Sequence, residues 1–202
     1  MLSPGIDDPA VYSLPTIPFH FVRHGETDWN KVRLIQGRRD IPLNATGEAQ
    51  AERLRPYLKD HGFRSIAASP LLRARRTAEI LNRDLGLPIH FLAGLQEFDV
   101  GPYEGTEARE WFGTWRQGQL VTGVESFADF SARVRHGMQT ALALPGPVLI
   151  VAHGGLVWAL EHLMGLPIGT DIHNTALVHF QPPSPTASNW QLTVADEASW
   201  GL

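Results

Sequence analysis

Five consecutive apolar residues, Val148–Ala152, constrain the fold more than any other segment of the chain. A strand with no polar position must be covered on both faces, so it belongs in the middle of a sheet that has helices on either side. Other short apolar runs alternate with segments whose apolar residues recur at helical spacing. This alternation predicts βαβ units and an α/β fold, a three-layer α/β/α sandwich with a mostly parallel central sheet.

The pattern assigns the elements along the chain as follows. The predicted strands are residues 17–22, 64–68, 89–92, 148–152, 176–180 and 190–194, and the predicted helices are residues 44–61, 70–85, 125–144 and 154–164. Pro56 lies inside the first predicted helix, where a proline kinks or ends it. We expect a leader at 1–16, followed by a single domain at 17–202 with an insertion at about 98–124.

Composition excludes several classes of function. Lys and Arg number 17 against 21 Asp and Glu, and a net charge of −4 gives no general attraction for nucleic acid or anionic membranes. The absence of cysteine excludes disulfides, thiolate nucleophiles and Cys-ligated zinc. No stretch approaches the roughly 20 apolar residues of a membrane helix, and the first 20 residues hold no Lys or Arg, unlike a secretory signal. We expect a cytoplasmic protein with no nucleic-acid or membrane partner.

Two of the predicted strands end in a histidine followed by glycine, in Arg23-His24-Gly25 and in His153-Gly154-Gly155. In parallel sheets, ligands bind beyond the carboxyl ends of the strands. Glycine there admits a ligand close to the backbone, and the next helix points its free N–H groups at the same place. Arg73, in the first turn of the helix predicted at 70–85, adds a guanidinium that matches phosphate geometry. Singly, each feature is typical of a solvated turn, a core histidine or a solvated helix face, but together they favour an anion site.

Longer motifs surround these residues in a recognisable order. They are Arg23-His24-Gly25-Glu26-Thr27-Asp28-Trp29-Asn30, Gln36-Gly37, Pro42-Leu43, Ser69-Pro70-Leu71 with Arg73 and Thr77-Ala78, Glu97 with Gly101 and Glu104-Gly105, and Val151-Ala152-His153-Gly154. From about residue 17 to 165, the chain resembles the histidine phosphatase superfamily, in its phosphoglycerate-mutase-like branch, with broad-specificity and alpha-ribazole-type phosphatases as the nearest kinds.

The resemblance implies a role for each residue of the site. His24 would be the nucleophile that becomes phosphorylated, Arg23, Arg73 and His153 would bind the phosphoryl oxygens, and Glu97 would be the proton donor. Asn30, Gln36, Gly37 and Gly154 would contact the substrate beside them.

These residue types suit phosphoryl transfer. The nucleophile must be a neutral imidazole, and neighbouring guanidiniums disfavour its protonation while they neutralise the phosphoryl oxygens. A carboxyl group that alternates between acid and base serves both halves of the reaction. Asp99 and Glu104 are rival proton donors near Glu97, and the family pattern favours Glu97 through the spacing to Gly101 and Gly105.

The histidines do not form a metal-binding pattern. His20 and His24 lie four apart on a predicted strand, a separation of roughly 13 Å that is too long for one ion. Neither His-x-x-x-His on a helix nor His-Glu-x-x-His occurs among the nine histidines. We therefore expect no metal and no cofactor.

Three functions remain open: a phosphatase for small phosphate monoesters, a cofactor-dependent phosphoglycerate mutase and a non-catalytic phosphate-binding module. The mutases that the chain resembles hold a substrate carboxylate with a lysine and an adjacent arginine pair in the middle region. Here the last lysine is Lys59, and from Glu97 to Asp129 seven acidic residues face two basic ones, Arg109 and Arg116, a balance of −5. Because a segment with net negative charge is poorly suited to bind a second anionic group, hydrolysis is favoured over the mutase reaction.

The insertion also contains three large aromatic residues, Trp111, Phe112 and Trp115. Packing of the insertion onto the domain is their expected role. The alternative is that one of them stacks on an aromatic or sugar part of the substrate, as in a nucleotide-like or ribazole phosphate.

Overall fold

The computed structural model describes residues 14–195, so that most of the expected leader at 1–16 lies outside the described residues. The strands are β1 (Phe19–Arg23), β2 (Ser65–Ala68), β3 (Ile89–Phe91), β4 (Val148–Ala152), β5 (Leu177–Gln181) and β6 (Gln191–Val194). They form one sheet in the order β3-β2-β4-β1-β5-β6. The first four strands in that order run parallel to one another. β5 pairs with β1 in antiparallel orientation, and β6 pairs with β5 in the same way.

The helices are α1 (Asp28–Lys31), α2 (Ala45–Leu54), α3 (Leu72–Leu81), α4 (Phe112–Arg116), α5 (Phe127–Leu142) and α6 (Gly154–Leu163). Short 3₁₀ segments lie at Arg55–His61, Ala93–Leu95 and Gly101–Tyr103. The sequence did not predict α1 or α4, because four or five residues are too few to show a helical period.

The sheet is covered on both faces, which confirms the three-layer α/β/α prediction. On one face, Phe21 and Ile150 belong to a buried cluster that includes apolar residues of α5 and α6. On the other face, Val22 and Leu149 belong to a second cluster with residues of α2 and α3. All five residues of β4 are buried, as a central strand between two helical layers requires.

The helix predicted at 44–61 is shorter than expected. The side chain of Asn44 caps α2 by accepting a hydrogen bond of 2.9 Å from the Gly47 N–H. The α-helix ends at Leu54, and the chain continues as a 3₁₀ segment that has Pro56 in its first turn. Proline lacks the N–H that an α-helical turn needs, which accounts for the change.

The insertion packs around one buried side chain. Trp115 on α4 is fully buried, its Nε1 donates a hydrogen bond of 2.8 Å to the carbonyl of Glu125, and its ring stacks on Phe98 with centroids 4.3 Å apart. Trp115 therefore has the packing role that the sequence predicts for the aromatic residues of the insertion. Within residues 14–195, no helix is both long enough and apolar enough to cross a bilayer.

Candidate active site

Adjacent parallel strands bring the two motif histidines together. Arg23 of β1 lies opposite Ala152 of β4 in the register, so that His24 and His153 leave the same edge of the sheet side by side. The His24 N–H donates a hydrogen bond of 2.9 Å to the Ala152 carbonyl, which extends the pairing by one residue. The two rings are buried, with centroids 5.2 Å apart and planes inclined at 59°.

The ring of His24 is held in one tautomer. Its Nδ1 lies 2.7 Å from the Gly25 carbonyl, which can only accept, so Nδ1 carries the proton and Nε2 keeps its lone pair. Burial lowers the pKa of His24 well below its ordinary value, and the charges of Arg73 and Arg23 lower it further, against the opposing effect of the Gly25 carbonyl. His24 is therefore a neutral imidazole with a free nitrogen.

His153 is oriented by a serine that follows a third strand, β2, at the same edge of the sheet. Ser69 follows β2, which is parallel to β4, and its Oγ lies 2.7 Å from His153 Nε2. The other ring nitrogen, Nδ1, is buried and has no hydrogen-bond partner within the described chain. Burial, followed by the charge of Arg73, lowers the pKa of His153 well below its ordinary value.

Two guanidiniums flank the histidines. Arg73, in the first turn of α3, is buried and donates hydrogen bonds of 2.8 Å to the carbonyls of Gly37 and Arg39. Arg23 donates to the carbonyl of Ile172. Burial lowers the pKa of Arg73 to about 10, so the side chain stays charged at neutral pH. In both arginines Nε is buried without a partner among residues 14–195.

Glu97 lies beside the first turn of α6, the helix that begins directly after His153. Its carboxylate accepts hydrogen bonds of 3.1 Å from the N–H groups of Gly155 and Phe98. A Cβ at position 155 would stand 2.4 Å from Glu97 Oε1, so glycine is required for this approach. Burial raises the pKa of Glu97, although both backbone hydrogen bonds and the nearby arginines oppose the shift. A carboxyl group with a raised pKa is suited to carry a proton.

A partly buried ion-pair network fixes the backbone at Glu97. Arg133 on α5 and Arg38 both donate to the Glu97 carbonyl, at 3.2 and 3.4 Å. Glu125 accepts from the same two arginines, at 2.9 and 3.2 Å. Sequence reasoning missed this network, since nothing in the spacing of residues 38, 125 and 133 relates them.

His24, Glu97 and the guanidiniums of Arg23 and Arg73 belong to residues that line a cavity of about 780 Å³. Eight of the nine site residues expected from the sequence line it, namely Arg23, His24, Asn30, Gln36, Gly37, Arg73, Glu97 and Gly154. The ninth, His153, does not line it but is buried with its ring beside that of His24. The rival carboxylates Asp99 and Glu104 do not line the cavity, and Asp99 instead accepts a hydrogen bond from the Gly101 N–H.

Comparison with known proteins identifies the family of the chain. Residues 19–193 match the model of the histidine phosphatase superfamily, branch 1. The chain belongs to the histidine phosphatase superfamily. Among curated relatives, the uncharacterized phosphatase PhoE of Bacillus subtilis (strain 168) is 43% identical over 141 residues, covering 69% of this chain and 72% of PhoE. The probable phosphoglycerate mutase GpmB of Citrobacter koseri is 36% identical over 203 residues, covering 89% and 93%.

The fold of this histidine phosphatase superfamily enzyme also matches solved structures. The alpha-ribazole phosphatase of Shigella flexneri superposes with a TM-score of 0.73 at 28% identity, covering 88% of this chain and 95% of that one. The resemblance read from the motifs and the α/β fold are thereby confirmed.

The structure shows which aromatic residues line the cavity. Of the three in the insertion, only Phe112 lines it, whereas Trp111 and Trp115 do not. Trp158 of α6 is the tryptophan in the cavity wall, and its Nε1 donates a hydrogen bond of 3.1 Å to the Thr170 carbonyl. Sequence reasoning missed Trp158 because it read α6 only as a helix that follows the His153 motif.

The charge of the residues that line the cavity differs from the net charge of residues 97–129. Of the seven acidic residues between 97 and 129, only Glu97 lines the cavity, but both basic ones, Arg109 and Arg116, do. Arg33 and Asp171 also line it. The net charge of −5 counted along this segment therefore does not describe the cavity wall, because most of its carboxylates do not line the cavity.

Two further residues of the wall were missed. Asn174 and His173 lie in the loop before β5, and Asn174 Nδ2 donates a hydrogen bond of 2.9 Å to the His24 carbonyl. β5 pairs with β1 in antiparallel orientation, so the start of β5 lies at the edge where β1 ends. The predicted closing strands could have signalled this placement if their direction had been known.

Proposed function

We propose that this enzyme hydrolyses small phosphate monoesters in two displacement steps through a phosphohistidine at His24. One observation carries the proposal: the neutral imidazole of His24 lies among three buried donors that have no partner within residues 14–195, Arg23 Nε, Arg73 Nε and His153 Nδ1. Buried polar groups in folded proteins nearly always have partners, so these donors fit a bound oxyanion.

In the first step, His24 Nε2 attacks phosphorus while the bond to the ester oxygen breaks. The departing oxygen needs a proton, and the neutral carboxyl of Glu97 donates it. The guanidiniums of Arg23 and Arg73 neutralise the phosphoryl oxygens, and His153 donates from Nδ1. Fixed donors of this kind stabilise the loose transition state of phosphoryl transfer without reorganising.

In the second step, the Glu97 carboxylate accepts a proton from a water molecule whose oxygen attacks phosphorus. The N–P bond breaks, its electron pair returns to His24 Nε2, and inorganic phosphate leaves. The same carboxyl therefore acts as acid and then as base, which restores the starting state of the site.

Hydrolysis is favoured over transfer back to the substrate. The cavity wall includes the exposed side chains of Arg33, Arg109 and Asp171, so water can reach it. PhoE and the Shigella enzyme are named phosphatases. A phosphoglycerate mutase is the second candidate, because GpmB carries that name and the arginines of the wall could hold a second anionic group. A non-catalytic module is disfavoured, since all five core groups are present.

We extend the proposal to the setting of the reaction. The two guanidiniums supply the charge neutralisation that a metal ion would otherwise provide, and the neutral ring of His153 adds a hydrogen bond, so we propose metal-independent chemistry on a small-molecule substrate in the cytoplasm. No group of three or more potential ligands within residues 14–195 is arranged to hold a metal. We also propose that residues 17–202 form one domain, with 98–124 as its insertion.

The deciding experiment is a phosphatase screen over metabolite monoesters with His24→Ala as the control. Hydrolysis predicts equal initial rates of substrate loss and phosphate release, together with an acid-labile phosphoenzyme that the variant cannot form. Isomerised substrate without phosphate release would identify a mutase. Absence of both activities and of the phosphoenzyme would leave the binding module.

A further inference from the structure

Glu161 on α6 is a buried acidic residue that the proposed reaction does not use. The residue is 1% exposed, and it does not line the cavity. Within residues 14–195, no lysine, arginine or histidine forms an ion pair with it. A carboxylate that is removed from water needs hydrogen-bond donors where it has no cation. The donors of Glu161 therefore indicate its role.

The donors belong to the loop between α6 and β5, residues 164–176, which we call the α6–β5 loop. Glu161 Oε2 accepts a hydrogen bond of 2.7 Å from the Gly169 N–H, and Oε1 accepts one of 3.2 Å from the Thr170 N–H. One turn earlier on the helix, Trp158 Nε1 donates a hydrogen bond of 3.1 Å to the Thr170 carbonyl. Two side chains of α6 thus hold the middle of the loop.

The second half of the α6–β5 loop contacts the groups proposed to act on phosphate. The carbonyl of Ile172 accepts a hydrogen bond from Arg23 Nη1. Asn174 Nδ2 donates a hydrogen bond of 2.9 Å to the His24 carbonyl, and the Thr175 N–H donates one of 3.0 Å to the Arg23 carbonyl. The loop therefore holds both the guanidinium of Arg23 and the backbone that carries His24.

The backbone conformation of Thr175 requires that the loop be held from both sides. Its φ is 57°, in the left-handed region that a β-branched residue rarely adopts. Such a conformation persists only where the surrounding structure imposes it. β5 follows directly and is fixed by its pairing with β1, and the attachment of Gly169 and Thr170 to α6 fixes the other side.

We propose that Glu161 is a positioning residue, which fixes the α6–β5 loop so that Arg23 and His24 are in place to receive the phosphoryl group. This inference rests on the proposed function for the roles of Arg23 and His24. Because Arg23 would contact the phosphoryl group of any substrate, the effect of Glu161 does not depend on the leaving group. That independence distinguishes it from a proton donor.

Glu161→Gln tests the role with little change of side-chain volume. An amide has one acceptor oxygen, and its NH₂ group would face a backbone N–H, so one of the bonds to the loop is lost. We expect the affinity for inorganic phosphate, measured by titration calorimetry, to fall about tenfold. The kcat/KM should fall by a similar factor for an alkyl phosphate and for p-nitrophenyl phosphate. His162→Gln is the matched control, because His162 lies on the same helix against Phe127, outside the cavity wall, and should change neither quantity.

A double-mutant cycle with Asn174→Ala separates positioning from a loss of stability. If Glu161 acts through the loop, its substitution matters less once the loop has lost its side-chain contact with His24. In that background, Glu161→Gln should reduce phosphate affinity only about threefold, because coupled sites are not additive. A loss of stability alone would lower the folded fraction, which urea unfolding measures, and would leave the affinity of each folded molecule unchanged.

The wild-type protein provides a second test, which does not depend on the folding of Glu161→Gln. Coupling between two sites is reciprocal, so a loop attachment that raises phosphate affinity tenfold is itself stabilised tenfold by bound phosphate. Hydrogen exchange at the amides of Gly169 and Thr170 should therefore slow about tenfold in saturating phosphate. The amide of Gly86, bonded to the Asn82 carbonyl outside the cavity wall, is the control and should not respond.

The outcomes are distinct. The inference is overturned if folded Glu161→Gln binds phosphate as wild type does, if its effect simply multiplies with that of Asn174→Ala, or if phosphate leaves both amides unchanged. A loss confined to the alkyl phosphate would also overturn it. If phosphate binding depends on Glu161 as expected, but wild type neither hydrolyses an ester nor forms a phosphoenzyme, the positioning role stands and the proposed hydrolysis fails.

Discussion

The rings of His24 and His153 lie 5.2 Å apart between centroids, inclined at 59°, on adjacent parallel strands. Both are buried, and burial is the largest cause that lowers the pKa of each. Two neutral imidazoles side by side can divide the work, one as nucleophile and the other as donor.

Histidine titration tests this neutrality. Because burial and the arginines lower both pKa values, His24 and His153 should stay neutral well below pH 6.5 in the empty enzyme. NMR of labelled histidine rings, assigned with His24→Gln and His153→Gln, reports the protonation directly. A protonation step near pH 6.5 at His24 would contradict the proposed nucleophile, and one at His153 would contradict the neutral state of that ring.

Stability should fall on acidification, in part through His20. Burial, followed by the charges of His179 and His61, lowers the pKa of His20 to about 4. Between pH 6.5 and about 4, the unfolded state binds a proton that the folded state refuses, so the free energy of unfolding decreases as pH falls. His20→Phe keeps a ring against His179 and should flatten that slope, by less than about 1.4 kcal/mol per pH unit because His20 is partly exposed. Urea unfolding at several pH values measures it, and an unchanged slope would refute the assignment.

Glu97→Gln should lower kcat in a way that depends on the leaving group. With alkyl phosphates, whose leaving oxygen needs a proton, we expect a loss of about 100-fold. With p-nitrophenyl phosphate the first step should lose much less, because that oxygen leaves without a proton. Asp99→Asn is the control and should keep the wild-type pattern. Equal losses on both substrates in burst kinetics would argue against Glu97 as the acid.

Ser69 is a positioning residue for His153. With its hydroxyl 2.7 Å from Nε2, it orients the ring so that Nδ1 remains available to the phosphoryl group. Ser69→Ala should lower kcat about tenfold through loss of that hydrogen bond and should change the ¹⁵N tautomer signature of His153. Ser131→Ala removes another buried serine hydroxyl, on α5 and outside the cavity wall, and should change neither. A purely structural role would leave the tautomer as it is.

Chelation should leave activity intact. In the proposed mechanism the positive charge beside His24 comes from Arg23 and Arg73, so incubation with EDTA followed by desalting should not change kcat. A reversible loss that added metal restores would show that an ion takes part.

The sequence predicted the reacting end of the site because sheet topology determines it. His24 and His153 each follow an apolar strand, and once the strands are parallel neighbours the two residues must meet. Glu97 was expected at the site only through the family resemblance, and its contact with Gly155 was not predicted.

The other end of the cavity escaped prediction for a physical reason. A count of charges along the sequence ignores where each side chain lies, whereas the electrostatic potential in a cavity depends mainly on the side chains that line it. Arg109 and Arg116 line the cavity and the carboxylates nearest them in the sequence do not, which no count of residues 97–129 reveals. The early end of the helix at Leu54 was foreseeable from Pro56, but α1 was too short to leave a signal.

The clamp of Arg133 and Arg38 on the backbone of Glu97 has an evolutionary consequence. The backbone that carries the proposed proton-transfer group is tied to α5 through Arg133, whose partner Glu125 is in turn held by Trp115 Nε1. A substitution at Trp115 therefore reaches the carboxyl of Glu97 as well as the insertion, so the insertion cannot diverge without disturbing the catalytic groups.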